Sequence, residues 1–365
     1  MTKRQLILED GTTFIGNAFG SNVSKHGEVI FYTGMTGYQE LISDPSYYGK
    51  IVTMTYPSIG TYGINRNDFE SITPLIRGMV VKEICHEPSN FQSEETLDHF
   101  LRKHEIPGIA GIDTRMLTRL LRQKGTQKGI ITNLEVNRNE VIQQLQSTKI
   151  NESVTEISTT RPYVIPGSGK RIVVIDFGVK HRILQALSER NCHITVVPYH
   201  FKKEEILRFK PDGIILSHGP GNPADLEQTV ATINKLLGIP LLGIGLGHQL
   251  FARACGSTTC KMRVGRYGVN FPVKDYKTDK TWITTQSSHY AIAESTLRET
   301  NLKITHRSID NGIVEGLEHS IYPAISVQFN LEGAPGSNET SFILTQFLQM
   351  TEFDQISTNG GQEHA

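Results

Sequence analysis

Residues 241–256, LLGIGLGHQLFARACG, predict a buried strand, a sharp turn and a helix. In many enzymes such a turn lifts a nucleophilic side chain out of a sheet, between glycines that let the substrate approach. Gly243 and Gly247 flank this turn, but Gly245 at its tip has no side chain. The stretch is therefore either an active site that lacks its nucleophile or a turn that has never carried a nucleophile.

Neighbouring residues do not replace the missing nucleophile. Cys255 lies ten positions further along the predicted helix, about 15 Å away by the helical rise, and is interpreted as core packing. Cys260 is interpreted as structural, and His248 as a residue that hydrogen-bonds locally. With Cys85 and Cys192, the cysteines show neither paired metal-ligand spacing nor the density of a disulfide framework, so we expect no metal site.

Composition bounds the class of protein. A length of 365 residues favours two domains, and the formal net charge of zero does not indicate nucleic acid or an anionic membrane as a partner. No apolar run approaches the roughly 20 residues that span a bilayer. The N-terminus, MTKRQLILEDG, lacks the apolar stretch of a secretory signal. We expect a soluble, reduced, cytoplasmic protein.

The second half of the chain alternates strands and helices. Strand-like segments RIVVIDFG, HITVVPY and DGIILSHGPGNP are separated by helix-like segments before the 241–256 turn. This alternation predicts a doubly wound, mostly parallel sheet, whose ligands bind at the carboxyl ends of the strands. The turn and SHGPGNP both lie at such ends. SHGPGNP lacks the Lys-Ser/Thr of a phosphate-binding P-loop.

The first half mixes strands and helices without regular alternation, which predicts an α+β domain. Asp10-Gly11 predicts a hairpin in which both turn residues have positive φ. Ser93 and Asp113 are predicted helix caps, and Gly125 ends the second helix. Further strands are predicted at Glu28–Thr33, Ile51–Tyr56 and Met79–Ile84.

The predicted domain boundaries follow these changes in pattern. Residues 1–150 form the N-terminal domain, and 151–170, polar with two prolines and two glycines, form a linker. Residues 171–352 form the α/β domain, and 353–365 a disordered tail.

Long sequence strings resemble a known family. GEVIFYTGMTGYQELISDPSYYGKIVTMTYPSIGTYGIN, GIAGIDTRMLTR and VIDFGVK resemble the carbamoyl-phosphate synthetase small subunit, and the C-terminal half resembles class I (triad-type) glutamine amidotransferases. The resemblance implies glutamine hydrolysis by a Cys-His-Glu triad. It also implies a large-subunit partner that uses the ammonia, with bicarbonate and ATP, to make carbamoyl phosphate for arginine or pyrimidine synthesis. No cofactor is expected in this chain, and ATP and Mg²⁺ are expected on the large subunit.

Carried over residue by residue, the resemblance gives an incomplete triad. The family's nucleophilic cysteine falls on Gly245 and its catalytic histidine on Asn330, whereas its glutamate is retained as Glu332. Amide hydrolysis needs a thiolate to attack and an imidazole to move protons, and a carboxamide cannot act as that base. We therefore expect impaired glutaminase chemistry. Glu332, without an imidazole to orient, is expected to bond backbone instead.

The glutamine-binding positions implied by the resemblance are also mixed. Those that match the family are Ser46, Gly219, Gly221, Leu246 and Gln249, with an oxyanion role implied for the SHGPGNP loop. The family's N-H-G-F stretch becomes Ser287-Ser288-His289-Tyr290, in which Tyr290 keeps an aromatic ring. His289 stands where a glycine backbone is expected against the substrate, so it either fills the glutamine space or points to solvent.

Three functions remain open at this stage. The chain is a small subunit that still delivers ammonia from glutamine, a non-hydrolysing subunit that holds the large partner while that partner consumes free ammonia, or a regulatory module that senses L-glutamine. A single introduced replacement at Gly245 would not also alter Ser287, His289 and Asn330. We therefore favour natural loss of the chemistry.

Overall fold

The computed structural model describes residues 2–148 and 153–359, with side chains to residue 352. The chain divides into two compact units. Unit 1 comprises Met1–Glu152 with Arg263–Gly268, and unit 2 comprises Ser153–Met262 with Val269–Ala365. Within the described residues no helix is both long and apolar enough to cross a membrane.

Unit 1 is built on a closed barrel of mixed strand direction. Its strands pair in the order β1-β2-β8-β6-β4-β3-β9, and β5 pairs separately with β7. The strand bounds are β1 Lys3–Leu8, β2 Thr13–Gly20, β3 Lys25–Tyr32, β4 Lys50–Met54, β5 Ser58–Ile59, β6 Gly78–Val81, β7 Glu83–Ile84, β8 Pro107–Ala110 and β9 Gln127–Thr132. The α+β prediction did not include barrel closure.

The barrel encloses an apolar core that the helices of unit 1 complete. Leu6, Val29, Ile51, Val80 and Ile131 from five different strands meet in one buried cluster. The helices are α1 Tyr38–Ser43, α2 Leu97–Lys103, α3 Thr114–Lys124 and α4 Arg138–Ser147. Leu117 and Leu121 of α3 join the same cluster.

Most of the turns and helix caps predicted for unit 1 are present. The β1–β2 hairpin forms, although Gly11 alone of its two predicted turn residues has positive φ, at 85°. Asp113 caps α3, and Gly125 ends it with a φ of 94°. The prediction that Ser93 caps α2 is wrong, because the Thr96 hydroxyl accepts the hydrogen bond from the first turn.

Unit 2 contains a ten-stranded sheet in the order β10-β12-β11-β13-β14-β19-β18-β17-β15-β16. The bounds are β10 Tyr163–Ile165, β11 Arg171–Asp176, β12 His193–Pro198, β13 Gly213–Leu216, β14 Leu241–Ile244, β15 Thr259–Asp275, β16 Thr281–Ile292, β17 Leu302–Ser308, β18 Val314–His319 and β19 Ala324–Val327. The predicted parallel sheet is present from β12 to β19. Antiparallel pairing of β19, β18, β17 and β15 extends it.

Helices cover both faces of the parallel strands. They are α5 His181–Glu189, α6 Lys203–Leu207, α7 Glu227–Leu236, α8 Leu246–Ala254 and α9 Phe342–Asn359. Because successive strand residues point to opposite faces, Ile214 and Leu216 pack with α7 and α8, whereas Ile215 packs with α5 and α9. This arrangement is the predicted doubly wound architecture.

The predicted linker and tail contain regular structure where they are described. Within 151–170, a short 3₁₀ turn occupies Val154–Glu156, and β10 pairs antiparallel with β12. Within 353–365, α9 continues to Asn359, and 360–365 lie outside the described residues.

Candidate functional site

The turn between β14 and α8 is a sharp elbow at Gly245. Its φ of 60° and ψ of −112° lie in a region of backbone conformation that residues other than glycine rarely adopt. The Gly245 N–H donates to the Val327 carbonyl at 3.0 Å, which ties the elbow to β19. The backbone shape of a nucleophile elbow is therefore present, with only a hydrogen atom at its tip.

Glycines hold this elbow through close backbone approach. An ideal Cβ on Gly247 would lie 2.2 Å from the Leu216 carbonyl oxygen, and one on Gly219 would lie 2.3 Å from that of Phe177. A Cβ on Gly243 would lie 2.7 Å from the Gly247 carbonyl oxygen. Such contacts exclude any side chain, so β13, β14 and α8 pack this tightly only because these residues are glycines.

Glu332 lies fully buried in a charged cluster of unit 2. Its Oε1 accepts a hydrogen bond from Lys180 Nζ at 2.8 Å, and its Oε2 accepts one from the Leu331 N–H at 2.9 Å. Burial raises the pKa of Glu332, but the Lys180 ammonium, His218 and the hydrogen bonds together hold that pKa below its ordinary value. The predicted bond from Glu332 to backbone is confirmed.

The sequence predicts no imidazole for Glu332 to orient, but the His218 imidazole lies close to it. His218 Nε2 lies 3.9 Å from Glu332 Oε2, and the His218 side chain is 2% exposed. An ideal Cβ on Gly245 would lie 3.1 Å from His218 Cδ2. No role is predicted from the sequence for His218 in SHGPGNP, which lies two residues after the end of β13 and beside the elbow.

Asn330 is held mainly by its backbone. Its N–H donates to the Thr285 carbonyl at 2.9 Å, and its carbonyl accepts from the Thr340 hydroxyl at 3.2 Å. The side chain is buried, and its Oδ1 has no hydrogen-bond partner among the described residues. A carboxamide in this position has no basic nitrogen with which to take a proton.

The side-chain amide nitrogen of Gln249, on α8, is hydrogen-bonded within the protein. This Nε2 lies 3.0 Å from the Ser288 hydroxyl, 2.9 Å from the Tyr290 carbonyl and 2.8 Å from Gln328 Oε1. The contacts connect α8 to β16 and to the segment after β19. The predicted glutamine-binding side chain therefore also holds the scaffold together.

The remaining predicted binding residues have different surroundings. Ser287 and Tyr290 are partly exposed, whereas His289 is only 6% exposed, which does not agree with a solvent-facing His289. Leu246 belongs to the apolar core, and Gly221 has a φ of 92°.

Ser46 belongs to unit 1, whereas the other predicted binding residues belong to unit 2. It is buried in a short 3₁₀ turn, where its N–H donates to Asp44 Oδ1 at 2.8 Å.

Other reactive side chains on α8 and directly after it have structural surroundings. Burial raises the pKa of the Cys255 thiol, which follows α8, to about 12, so it stays protonated. Burial and the neighbouring His306 lower the pKa of His248 to about 3, and His248 Nδ1 lies 2.8 Å from the Ser326 hydroxyl. Among the described residues no group of three or more His, Cys, Asp or Glu side chains is placed to hold a metal ion.

Known proteins match both parts of the chain. Residues 6–131 match the family described as "Carbamoyl-phosphate synthase small chain, CPSase domain", and 173–350 match "Glutamine amidotransferase class-I". The carbamoyl phosphate synthase small chain of Oceanobacillus iheyensis is 51% identical over 100% of both chains. The pyrimidine-specific small chain of Halalkalibacterium halodurans is 52% identical over 96% of this chain and 97% of its own.

A crystal structure of a glutamine amidotransferase from Thermotoga maritima is 16% identical to this chain. It covers 53% of this chain and 87% of its own, with a TM-score of 0.37.

Proposed function

Because the chain belongs to the carbamoyl phosphate synthase small-chain family, we propose that it is a small subunit whose own glutamine hydrolysis is impaired or lost. Its partner in this proposal is a large subunit that makes carbamoyl phosphate from bicarbonate, ATP and ammonia and that carries the ATP and Mg²⁺. The product serves arginine or pyrimidine synthesis.

The observation that carries the proposal is the elbow at Gly245. It has the backbone of a nucleophile turn, but its nearest side chain is an imidazole and it has no attacking atom of its own. Loss of the nucleophile alone costs on the order of 10⁶ in rate in a triad hydrolase. Asn330 also cannot act as the general base that accepts a proton in such a reaction.

Glu332 supports the same proposal. In a triad its carboxylate orients the catalytic imidazole. Here Lys180 already pairs with one carboxylate oxygen at 2.8 Å, and the nearest imidazole belongs to His218. The retained glutamate therefore stabilises a buried ion pair, and in this proposal it does not serve a base at residue 330.

A comparison of nitrogen donors tests the proposal. The chain is co-purified with its large subunit, and carbamoyl phosphate formation is measured with glutamine and with ammonium. We expect the two chains to remain together and the product to form from ammonium but not from glutamine. Formation from glutamine at a rate equal to that of an intact small chain with the same large subunit would refute the impairment.

Retention of glutamine as a regulatory ligand is the second candidate function. Gly219, Gly221, Leu246 and Gln249 keep the identities that the resemblance associates with glutamine binding. Isothermal titration with L-glutamine, with D-glutamine as the control, tests it. Heat from the L-enantiomer alone would support a sensor, and no heat from either would remove that function.

A further inference from the structure

The side chain nearest to the empty nucleophile position is His218. The three atoms closest to an ideal Cβ on Gly245 are His218 Cδ2 at 3.1 Å, Cγ at 3.6 Å and Cα at 3.7 Å. A contact of 3.1 Å is shorter than ordinary van der Waals separation between carbon atoms. A side chain at position 245 would therefore press against the imidazole ring before its second atom was placed.

His218 has little room to move away. Its side chain is 2% exposed, and Nε2 faces Glu332 Oε2 at 3.9 Å. Glu332 is in turn fixed by Lys180 at 2.8 Å, and both of these side chains are at most 1% exposed. In a close-packed interior, displacing such a ring also displaces its neighbours.

The orientation of the ring shows which kind of contact it makes. The Cγ–Cδ2 edge faces position 245, and neither ring nitrogen is among the three nearest atoms. The carbon edge of the imidazole therefore fills the space next to the elbow.

From this geometry we infer that His218 closes the nucleophile position, so that loss of the attacking atom and occupation of its space are coupled changes. His218 is a positioning residue that determines whether a side chain is accommodated at 245. The inference rests on the proposed function, because it predicts that a single replacement at Gly245 would not restore hydrolysis.

Alkylation of an introduced thiol tests the closure without any enzymatic reaction. Gly245→Cys is compared with Gly245→Cys/His218→Asn in the full chain, with iodoacetamide as the probe and site-resolved mass spectrometry separating the native cysteines. We expect the thiol at 245 to react at least about tenfold faster once His218 is replaced. His181→Asn, at an exposed histidine on α5, is the matched control and leaves the rate unchanged. Equal rates with and without His218 would overturn the inference.

A double-mutant cycle covers the case in which the cysteine variant does not fold. Gly245→Ala adds only the Cβ, so its melting temperature is compared in the native and the His218→Asn backgrounds. We expect a smaller loss in melting temperature in the His218→Asn background, and additive losses would contradict the closure. Glutamine turnover by the unmodified chain would instead refute the proposed function, so the two failures are distinguishable.

Discussion

The backbone of the elbow and the side chains around it are constrained in different ways. Gly247 and Gly219 are fixed by backbone oxygens 2.2 and 2.3 Å from where a Cβ would lie. Position 245 instead has only a hydrogen atom and position 330 has a carboxamide, and neither supplies triad chemistry, although the sheet and helix are intact. Where a backbone oxygen lies this close to a Cβ position, only glycine fits. A side chain whose only role is chemical can be replaced without disturbing the fold.

The side chains themselves also divide into two groups. Glu332 keeps its identity and pairs with Lys180, so its charge is balanced whether or not hydrolysis takes place. Asn330 has no such partner for its Oδ1 within the part of the chain that the structure describes. A group with a structural contact of its own is costly to replace even when its catalytic partners are gone.

The largest effect is expected where the backbone contact is closest. Gly247→Ala places a Cβ against the Leu216 carbonyl, so we expect a loss of about 4 kcal/mol or more in unfolding free energy. Gly312→Ala is the control for a replacement without a steric contact, because nothing among the described residues lies within 4 Å of its Cβ, although its φ of 73° is positive and that of Gly247 is not. It is expected to cost about 1 kcal/mol. Urea unfolding followed by circular dichroism measures both, and equal losses would break the comparison.

Removal of the partner of Glu332 is expected to have the next largest effect. Lys180→Met leaves a buried carboxylate uncompensated, which costs about 3–5 kcal/mol at neutral pH. Without Lys180, burial raises the pKa of Glu332, so the folded variant takes up a proton as pH falls and the deficit shrinks. Lys180→Met/Glu332→Gln should recover most of the stability. A deficit that is independent of pH would show that the charge is not the cause.

Restoring two residues of the triad tests whether the side chains around the elbow, and not its backbone, limit the chemistry. Gly245→Cys/Asn330→His should raise glutamine hydrolysis only in part, because His289 remains buried where the resemblance expects a glycine and His218 stays against position 245. Adding His218→Asn should increase kcat by a further tenfold or more, to about 10² above the unmodified chain. The same set with Gly245→Ala in place of cysteine is the inactive control. Full recovery by the double variant would remove the role given to both histidines.

Two buried histidines predict a pH-dependent loss of stability. Burial, with His306 adding to it, lowers the pKa of His248 to about 3, and burial lowers that of His306 to about 4. Below about pH 6.5 the unfolded chain binds protons that the folded chain does not. Stability therefore falls as pH drops from 6.5, by up to about 1.4 kcal/mol per pH unit for each histidine, until the folded pKa is reached.

Urea unfolding at pH 7, 6 and 5 measures this slope, and His248→Gln should remove its part of it. Constant stability across that range would contradict the burial of neutral histidines.

Local patterns predicted most of the fold, and long-range pairing accounts for what they missed. The glycines at 243, 245 and 247 identified the elbow, and strand–helix alternation identified the doubly wound sheet. Closure of the barrel depends on pairs such as Leu6 with Ile131, which no local pattern specifies. Ser93 and Thr96 are both good caps, and only the fold selects between them.

The candidate site shows the same limit. The positions 245, 330 and 332 came from motif resemblance, but the Lys180–Glu332 pair joins residues 152 positions apart. His218 lies in the SHGPGNP loop, for which the sequence predicts only an oxyanion role of the backbone. The pairing of β13 with β14 brings its side chain to the elbow. Which imidazole lies beside Glu332 is therefore a property of the fold and not of a motif.

The most direct test of the account is to look for a covalent intermediate. The chain, alone and with its large subunit, is incubated with glutamine, quenched in acid and analysed by intact-mass spectrometry. We expect an unmodified chain, because a hydrogen atom at position 245 forms no acyl bond. A glutamyl adduct on any residue of this chain would contradict it.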